Sequence, residues 1–273
     1  MANALHDVSD LVRRQTIVAL SSLLQQGYLK WNEALFYKYV SSLNDDNKEV
    51  SGLAEYTLVD MQQSKHEGMF SKYVIECIYY YNGFIDDAVY NKFGRSEQMK
   101  PEICHKDRMR LYRFLIRHMN DSEKFNLRER LTTEILARII SNDSRARQNS
   151  GAETARGQNS EDSDITKQGL EMIADTFQIL LCKEIQLQCL KELQEEIADQ
   201  DVNRDEGLNA AADQVSRNKK HGIIAGITQL KKTQAVEKML PNVVATMNAL
   251  EKGRHLEILK HCVEYSLLET VKM

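Results

Sequence analysis

Very little interrupts this chain. Two prolines and twelve glycines are spread over 273 residues, so few positions oblige a helix to stop. Leu, Glu, Gln, Ala, Lys and Arg are abundant, a composition that suits helix throughout. Strong net charge is missing too. The 36 basic residues stand against 40 acidic ones, a balance of −4, and that excludes a global field favouring nucleic acid. No run of eighteen apolar residues occurs and no signal peptide opens the chain, which predicts a soluble, intracellular protein.

Cysteine chemistry is equally sparse. Cys77, Cys104, Cys182, Cys189 and Cys262 form no CxxC pair, and their number is odd. The expectation is five buried, reduced thiols and no metal site, because no Cys/His set has zinc spacing. The glycine loops that cradle phosphates are absent, as are GxSxG and, among the seven histidines, HExxH. An enzyme with a helical fold would need a convergent polar site, and none is offered; no catalytic residue and no cofactor is expected. Adjacent Cys104 and His105 fall in an expected loop and are not read as a nucleophile and its base. Asp45-Asp46 and Asp86-Asp87 sit at turns, where capping or solvation accounts for them.

What the chain does have is a repeat. Asp7, Val12, Leu20, Trp31, Leu35, Phe36, Val40 and Leu43 are answered 38 residues later by Asp45, Val50, Leu58, Met69, Tyr73, Val74, Ile78 and Tyr81. Self-similarity at this period marks a stacked helical unit, more often a scaffold or binding surface than an enzyme. Val12, Thr16, Ala19 and Leu23 lie on one helical stripe, and so do Val50, Ala54, Thr57 and Met61. An aspartate precedes each stripe by five residues and can cap its start. Aromatic-rich segments 31–43 and 69–81 alternate with these lighter helices. The fold class is therefore all-α, an α-solenoid of antiparallel helix pairs.

Asn82-Gly83, Gly94 and Pro101 mark a loop or insertion over 82–105. Helices resume near 106–119 and 121–141. Residues 142–166 carry almost no large apolar side chain before Ile165 and are expected to be disordered. Further helices are expected near 167–181, 184–198, 208–220, 222–233, 237–250 and 254–271. The expected organisation is a repeat array over 1–141, a polar insertion over 142–166 and further helices over 167–273.

Charge is uneven along the sequence. Residues 92–117 hold eight basic and three acidic residues, a local +5, and residues 214–234 hold five basic and no acidic residues. Within the first stretch Lys106, Arg110, Arg113 and Arg117 fall in one narrow row, with Met109, Tyr112, Leu115, Ile116 and Met119 on the other side. Such a row can track phosphates, pair with acidic neighbours or stay in solvent. Arg217, Lys219, Lys220, Lys231 and Lys232 form a second basic group, interrupted by Gly222 and Gly226. The run Tyr79-Tyr80-Tyr81 reads as structural, with Tyr80 packing or capping a helix end and its neighbours half exposed.

The Asp-x4-Val pattern, with Arg13 after Val12, resembles the HEAT repeat; Ser51 stands where the second copy would carry the Arg. Such an Arg pairs with the aspartate of the neighbouring repeat. The run LVRRQTIVALSSLLQQGYLKWNEALFYKYVSSLNDD resembles the C-terminal HEAT region of the large D-type, non-SMC subunit of condensin II. So do FSKYVIECIYYYNGF, YNKFGRSE, RMRLYRFLIRHMNDSEKFNL, DTFQILLCKEIQL and the tail from Asn218, all in the family's order; the polar stretch 142–166 departs from it. The resemblance implies a non-enzymatic HEAT scaffold acting in mitotic and meiotic chromosome condensation. It implies a kleisin and SMC subunits as partners, contact with DNA and histone tails, and a nuclear, chromosomal location. On this basis the two basic groups are the candidate DNA contacts. The competing expectation is another HEAT or armadillo adaptor, such as a cohesin-type, transport or phosphatase scaffold, with protein partners only.

Overall fold

The computed structural model describes residues 2–64, 66–83, 103–140, 167–186, 237–252 and 255–271. Among these residues every regular element is helical. The helices are α1 (Asp10–Gln25), α2 (Glu33–Ser41), α3 (Lys48–Ser64), α4 (Met69–Tyr81), α5 (His105–Arg117), α6 (Asp121–Arg130), α7 (Lys167–Leu181), α8 (237–252) and α9 (Leu256–Val271). Helix α6 continues through a π-helical segment, Leu131–Leu136, to residue 140. The chain forms two compact units, one of residues 1–127 with 164–185, the other of residues 128–163 with 186–273. The expected polar insertion 142–166, most of the expected loop 82–105, and the helices expected after residue 186 and before 237 lie outside the described residues. Residue 184, expected to open a helix, lies in a 3₁₀ turn, Lys183–Ile185.

The first unit is a HEAT-type stack. A light helix alternates with an aromatic one, α1 with α2 and α3 with α4, linked by Ser21 Oγ to the Tyr39 hydroxyl and by Phe70 N to Gln62 Oε1, and α1 stacks on α3 as α2 does on α4. The pairs are antiparallel. A 3₁₀ turn, Ala2–His6, leads into α1 and lies against the far end of α2, with Lys38 Nζ on Asn3 Oδ1 at 2.6 Å. Its counterpart, Ser42–Asn44, leads into α3, and Leu5 and Leu43 are buried at equivalent places. Each light helix follows the same local turn. Asp7 Oδ1 accepts from Ser9 N at 2.9 Å, and Asp45 Oδ1 accepts from Asn47 N at 2.9 Å. The side chain thereby occupies an amide that the coming helix cannot satisfy.

Arg13 then links the two copies. Its Nε and Nη2 donate to Asp45 at 2.6 and 2.8 Å, and its Nη1 donates back to Asp7 O at 2.8 Å. This is the pairing of an arginine with the next repeat's aspartate that the sequence pattern implied. The aromatic helices fill the interior. Phe36 stacks on Tyr73 with centroids 4.7 Å apart, and Trp31 meets Phe36 and Tyr39 edge-on. The Tyr39 hydroxyl, fully buried, bonds Ser21 Oγ at 2.6 Å and Thr57 Oγ1 at 2.7 Å, tying α1, α2 and α3 through one atom.

The stripe of Val12, Thr16, Ala19 and Leu23 is only partly the core face of α1: Thr16, Ile17, Leu20, Ser21 and Leu24 are buried, whereas Leu11, Val12 and Val18 are exposed. Two sides of α1 are apolar, so periodicity could not choose between them, and packing on α2 and α3 did. The second stripe does bury Val50, Ala54, Thr57 and Met61. Two expectations are corrected. Tyr79 and Tyr81 are buried while Tyr80 keeps some exposure, the reverse of the expectation; Tyr81 is held by a 2.7 Å bond from its hydroxyl to Tyr37 O. Finally, Cys104 is exposed, because it stands just before α5 and its thiol donates to Asp107 Oδ2. Cys77, Cys182 and Cys262 are buried, and Cys189 lies outside the described residues.

In the second unit, α8 and α9 bury Met239, Val243, Leu250, Cys262 and Tyr265. Lys238 Nζ meets Glu129 Oε1 at 3.2 Å.

Candidate nucleic-acid interface

Helix α5 is the most sharply two-sided helix of the first unit. Met109, Leu111, Tyr112, Phe114, Leu115 and Ile116 are buried on one side. Lys106, Arg110, Arg113 and Arg117 are all exposed on the other. A helix rises about 1.5 Å per residue, so the four cations are spread over about 16 Å. Among the described residues no ion pair engages Lys106, Arg110 or Arg113. Arg117 Nη2 approaches Glu184 Oε1 at 3.6 Å.

The row is held in place by a polar cluster beneath it. Asp175, on α7, is completely buried. Its carboxylate accepts from Arg108 Nε at 2.8 Å, from Arg108 Nη2 at 3.3 Å, and from Asn82 Nδ2 at 2.8 Å. His105 Nδ1 lies 2.7 Å from the same carboxylate, and His105 Nε2 lies 2.9 Å from Gln178 Oε1. Arg108 also donates to Ile103 O at 3.1 Å and meets Glu171 at 3.5 Å. Burial alone would lower the pKa of the Arg108 guanidinium, but the bond to Asp175 and its charge outweigh that and raise it. Tyr112, buried beside them, has its hydroxyl pushed well above the ordinary tyrosine value, by burial first and by the Asp175 charge second. A buried carboxylate is tolerated only when paired and fully hydrogen-bonded, and here the end of α4, the start of α5 and the middle of α7 supply the partners. Residues on either side of the polar stretch 142–166 are thereby locked together, and α5 is presented at a fixed rotation.

Of the residues expected to contact DNA, Lys106, Arg110, Arg113 and Arg117 are brought together on one face. Arg217, Lys219, Lys220, Lys231 and Lys232 lie outside the described residues. Arg108, in the same run of sequence, is not part of the row but the anchor below it. Asp175 was missed by the sequence reading. Its signal is an acidic residue in the middle of the apolar face of α7, between Met172 and Phe177, both buried.

The described residues hold no group of His, Cys, Asp and Glu that could bind a metal ion, and no helix among them is long and apolar enough to cross a membrane. Adjacent Cys104 and His105 are not paired with each other; each bonds an aspartate instead.

Comparison with known proteins gives the lineage. Residues 1–145 match the family described as non-SMC mitotic condensation complex subunit 1. Condensin-2 complex subunit D3 of Mus musculus is 30% identical over 261 residues, covering 92% of this chain and 15% of that protein. Condensin-2 complex subunit D3-L of Xenopus laevis is 28% identical over 256 residues, again 92% and 15%. Condensin-2 complex subunit CAP-D3 of Arabidopsis thaliana is 27% identical over 235 residues, 81% of this chain and 16% of that one. The chain thus spans about 15% of the length of the first two of these relatives. No solved structure matches it. A family match over more than half of the chain, on a stack of helix pairs joined by an Arg–Asp bridge, assigns it: the chain belongs to the non-SMC mitotic condensation complex subunit 1 family.

Proposed function

We propose that this chain is a non-catalytic HEAT scaffold segment of a condensin II complex, acting on chromosomes in mitosis and meiosis. In this reading it docks on the kleisin, and through it on the SMC subunits, within the nucleus. It touches DNA through exposed cations on α5, and histone tails are a further partner in this reading. The observation that supports DNA contact is the row Lys106, Arg110, Arg113 and Arg117, exposed together on a helix whose rotation is locked from below. Arginines and lysines so placed can release counterions from a phosphate backbone without reading bases. Arg217, Lys219, Lys220, Lys231 and Lys232 are proposed as further DNA contacts.

The test is binding of the chain to a short duplex across a salt series. Changing Arg110, Arg113 and Arg117 together to Glu should abolish most binding and flatten the dependence on salt by about 0.9 logarithmic units for each cation engaged. Affinity unchanged by the triple variant, or absent even at low salt, sinks the assignment and leaves a scaffold with protein partners only.

A further inference from the structure

The four exposed cations of α5 are not equivalent, and Glu184 makes the difference. Helix α7 and the 3₁₀ turn after it lie along the flank of α5. Asp175 and Gln178 grip its start through Arg108 and His105, and Glu184 reaches its end at Arg117. The turn that carries Glu184 is fixed on both sides, since Cys182 and Ile185 are buried. The Glu184 side chain is only 21% exposed, against 61% for Arg117. A carboxylate already held in place costs little further side-chain entropy when it pairs. A phosphate approaching Arg117 must share the guanidinium with that carboxylate and sit beside its negative charge. At Lys106, Arg110 and Arg113 no acidic partner among the described residues has to be displaced.

Resting on the phosphate-binding reading of α5, we infer that Glu184 withholds Arg117 from nucleic acid. The row then engages phosphates through Lys106, Arg110 and Arg113, which span about 10 Å at the rise of an α-helix, and Glu184 sets the length of the footprint. The anion is built into the fold next to the cations it limits, so affinity at this site is held below what its arginines could supply.

The experiment compares the intact chain with E184Q, R117Q, R110Q and the double variant E184Q/R117Q, on one duplex over a salt series. E184Q should bind about three- to tenfold more tightly at about 50 mM salt, with the salt dependence steeper by about 0.9 logarithmic units, the contribution of one added phosphate contact. R117Q should stay within about twofold of the unaltered chain, whereas R110Q should weaken binding and flatten the slope. The gain should vanish in E184Q/R117Q, which separates release of Arg117 from any loosening of the turn. E184Q with unchanged affinity and slope, or R117Q as damaging as R110Q, overturns the inference while the phosphate reading stands. Binding that neither R110Q nor the triple charge reversal alters overturns both.

Discussion

Replacing Asp175 by Ala is the most demanding test of how this unit holds together. The carboxylate is fully buried and accepts from Asn82, from two nitrogens of Arg108 and from His105 when its Nδ1 is protonated. Among the described residues, the Ala variant leaves the Arg108 side chain, 7% exposed, with Ile103 O at 3.1 Å and Glu171 at 3.5 Å. Removing one partner of a buried pair strands the other charge, at a cost of about 3–5 kcal/mol. Trp31 is the one tryptophan of the chain and lies in this unit, in edge contact with Phe36 and Tyr39. Its fluorescence in a urea titration therefore reports on the unit directly. With a slope of about 1–3 kcal/mol per molar urea, the midpoint should fall by more than about 1 M. The double variant Asp175→Leu with Arg108→Met should recover over half of the loss, because it removes both desolvated charges and keeps apolar volume. A loss below about 1 kcal/mol for Ala, or a double variant no better than the single, would refute the claim that an electrostatic anchor orients α5.

The Arg13–Asp45 bridge makes stability depend on pH. Partial burial pushes the Asp45 carboxyl up, but the Arg13 bond and the Asn47 amide push it down further, so it titrates below its ordinary value. A carboxylate whose folded pKa is depressed contributes stability above its unfolded pKa, about 3.9, and loses it as pH falls through the folded value. Asp45→Asn should therefore cost about 1–2 kcal/mol at neutral pH, and thermal melts should show its stability converging with the parent's below about pH 4; parallel acid limbs would contradict the assignment. Cys104 should be alkylated first among Cys77, Cys104, Cys182 and Cys262 when modified sites are followed by mass spectrometry. It is exposed, whereas burial raises the thiol pKa of Cys182 to about 11 and of Cys262 to about 12, and drives Cys77 well upward; early labelling of Cys77 would mean that the α4 core opens. The Arg110, Arg113 and Arg117 reversal should leave the stability measured by urea titration within about 0.5 kcal/mol of the parent's, as exposed substitutions do.

Periodicity settled the type and order of the elements in the repeats, because a 38-residue copy of apolar positions needs no tertiary information to be seen. It also placed Lys106, Arg110, Arg113 and Arg117 on one exposed face, since a row on a regular helix is a matter of angle alone. The Asp-x4-Val pattern with Arg13 even implied the bridge to Asp45. It left the buried side open where a helix had two candidate apolar sides. Leu11, Val12 and Val18 of α1 are as hydrophobic as the face that was buried, and only the position of α2 and α3 decided between them.

The chain by itself thus determined the helical repeat, the basic row and the family, all of which rest on local spacing or on collinear blocks of sequence. Tertiary structure alone decided the long-range pairs. Asp175 finds Arg108 across 67 positions and Asn82 across 93, and Glu184 finds Arg117. Charges that far apart in sequence carry no spacing signal. They meet because α7 packs its apolar face on α5, and burial then requires every polar group trapped there to find a partner.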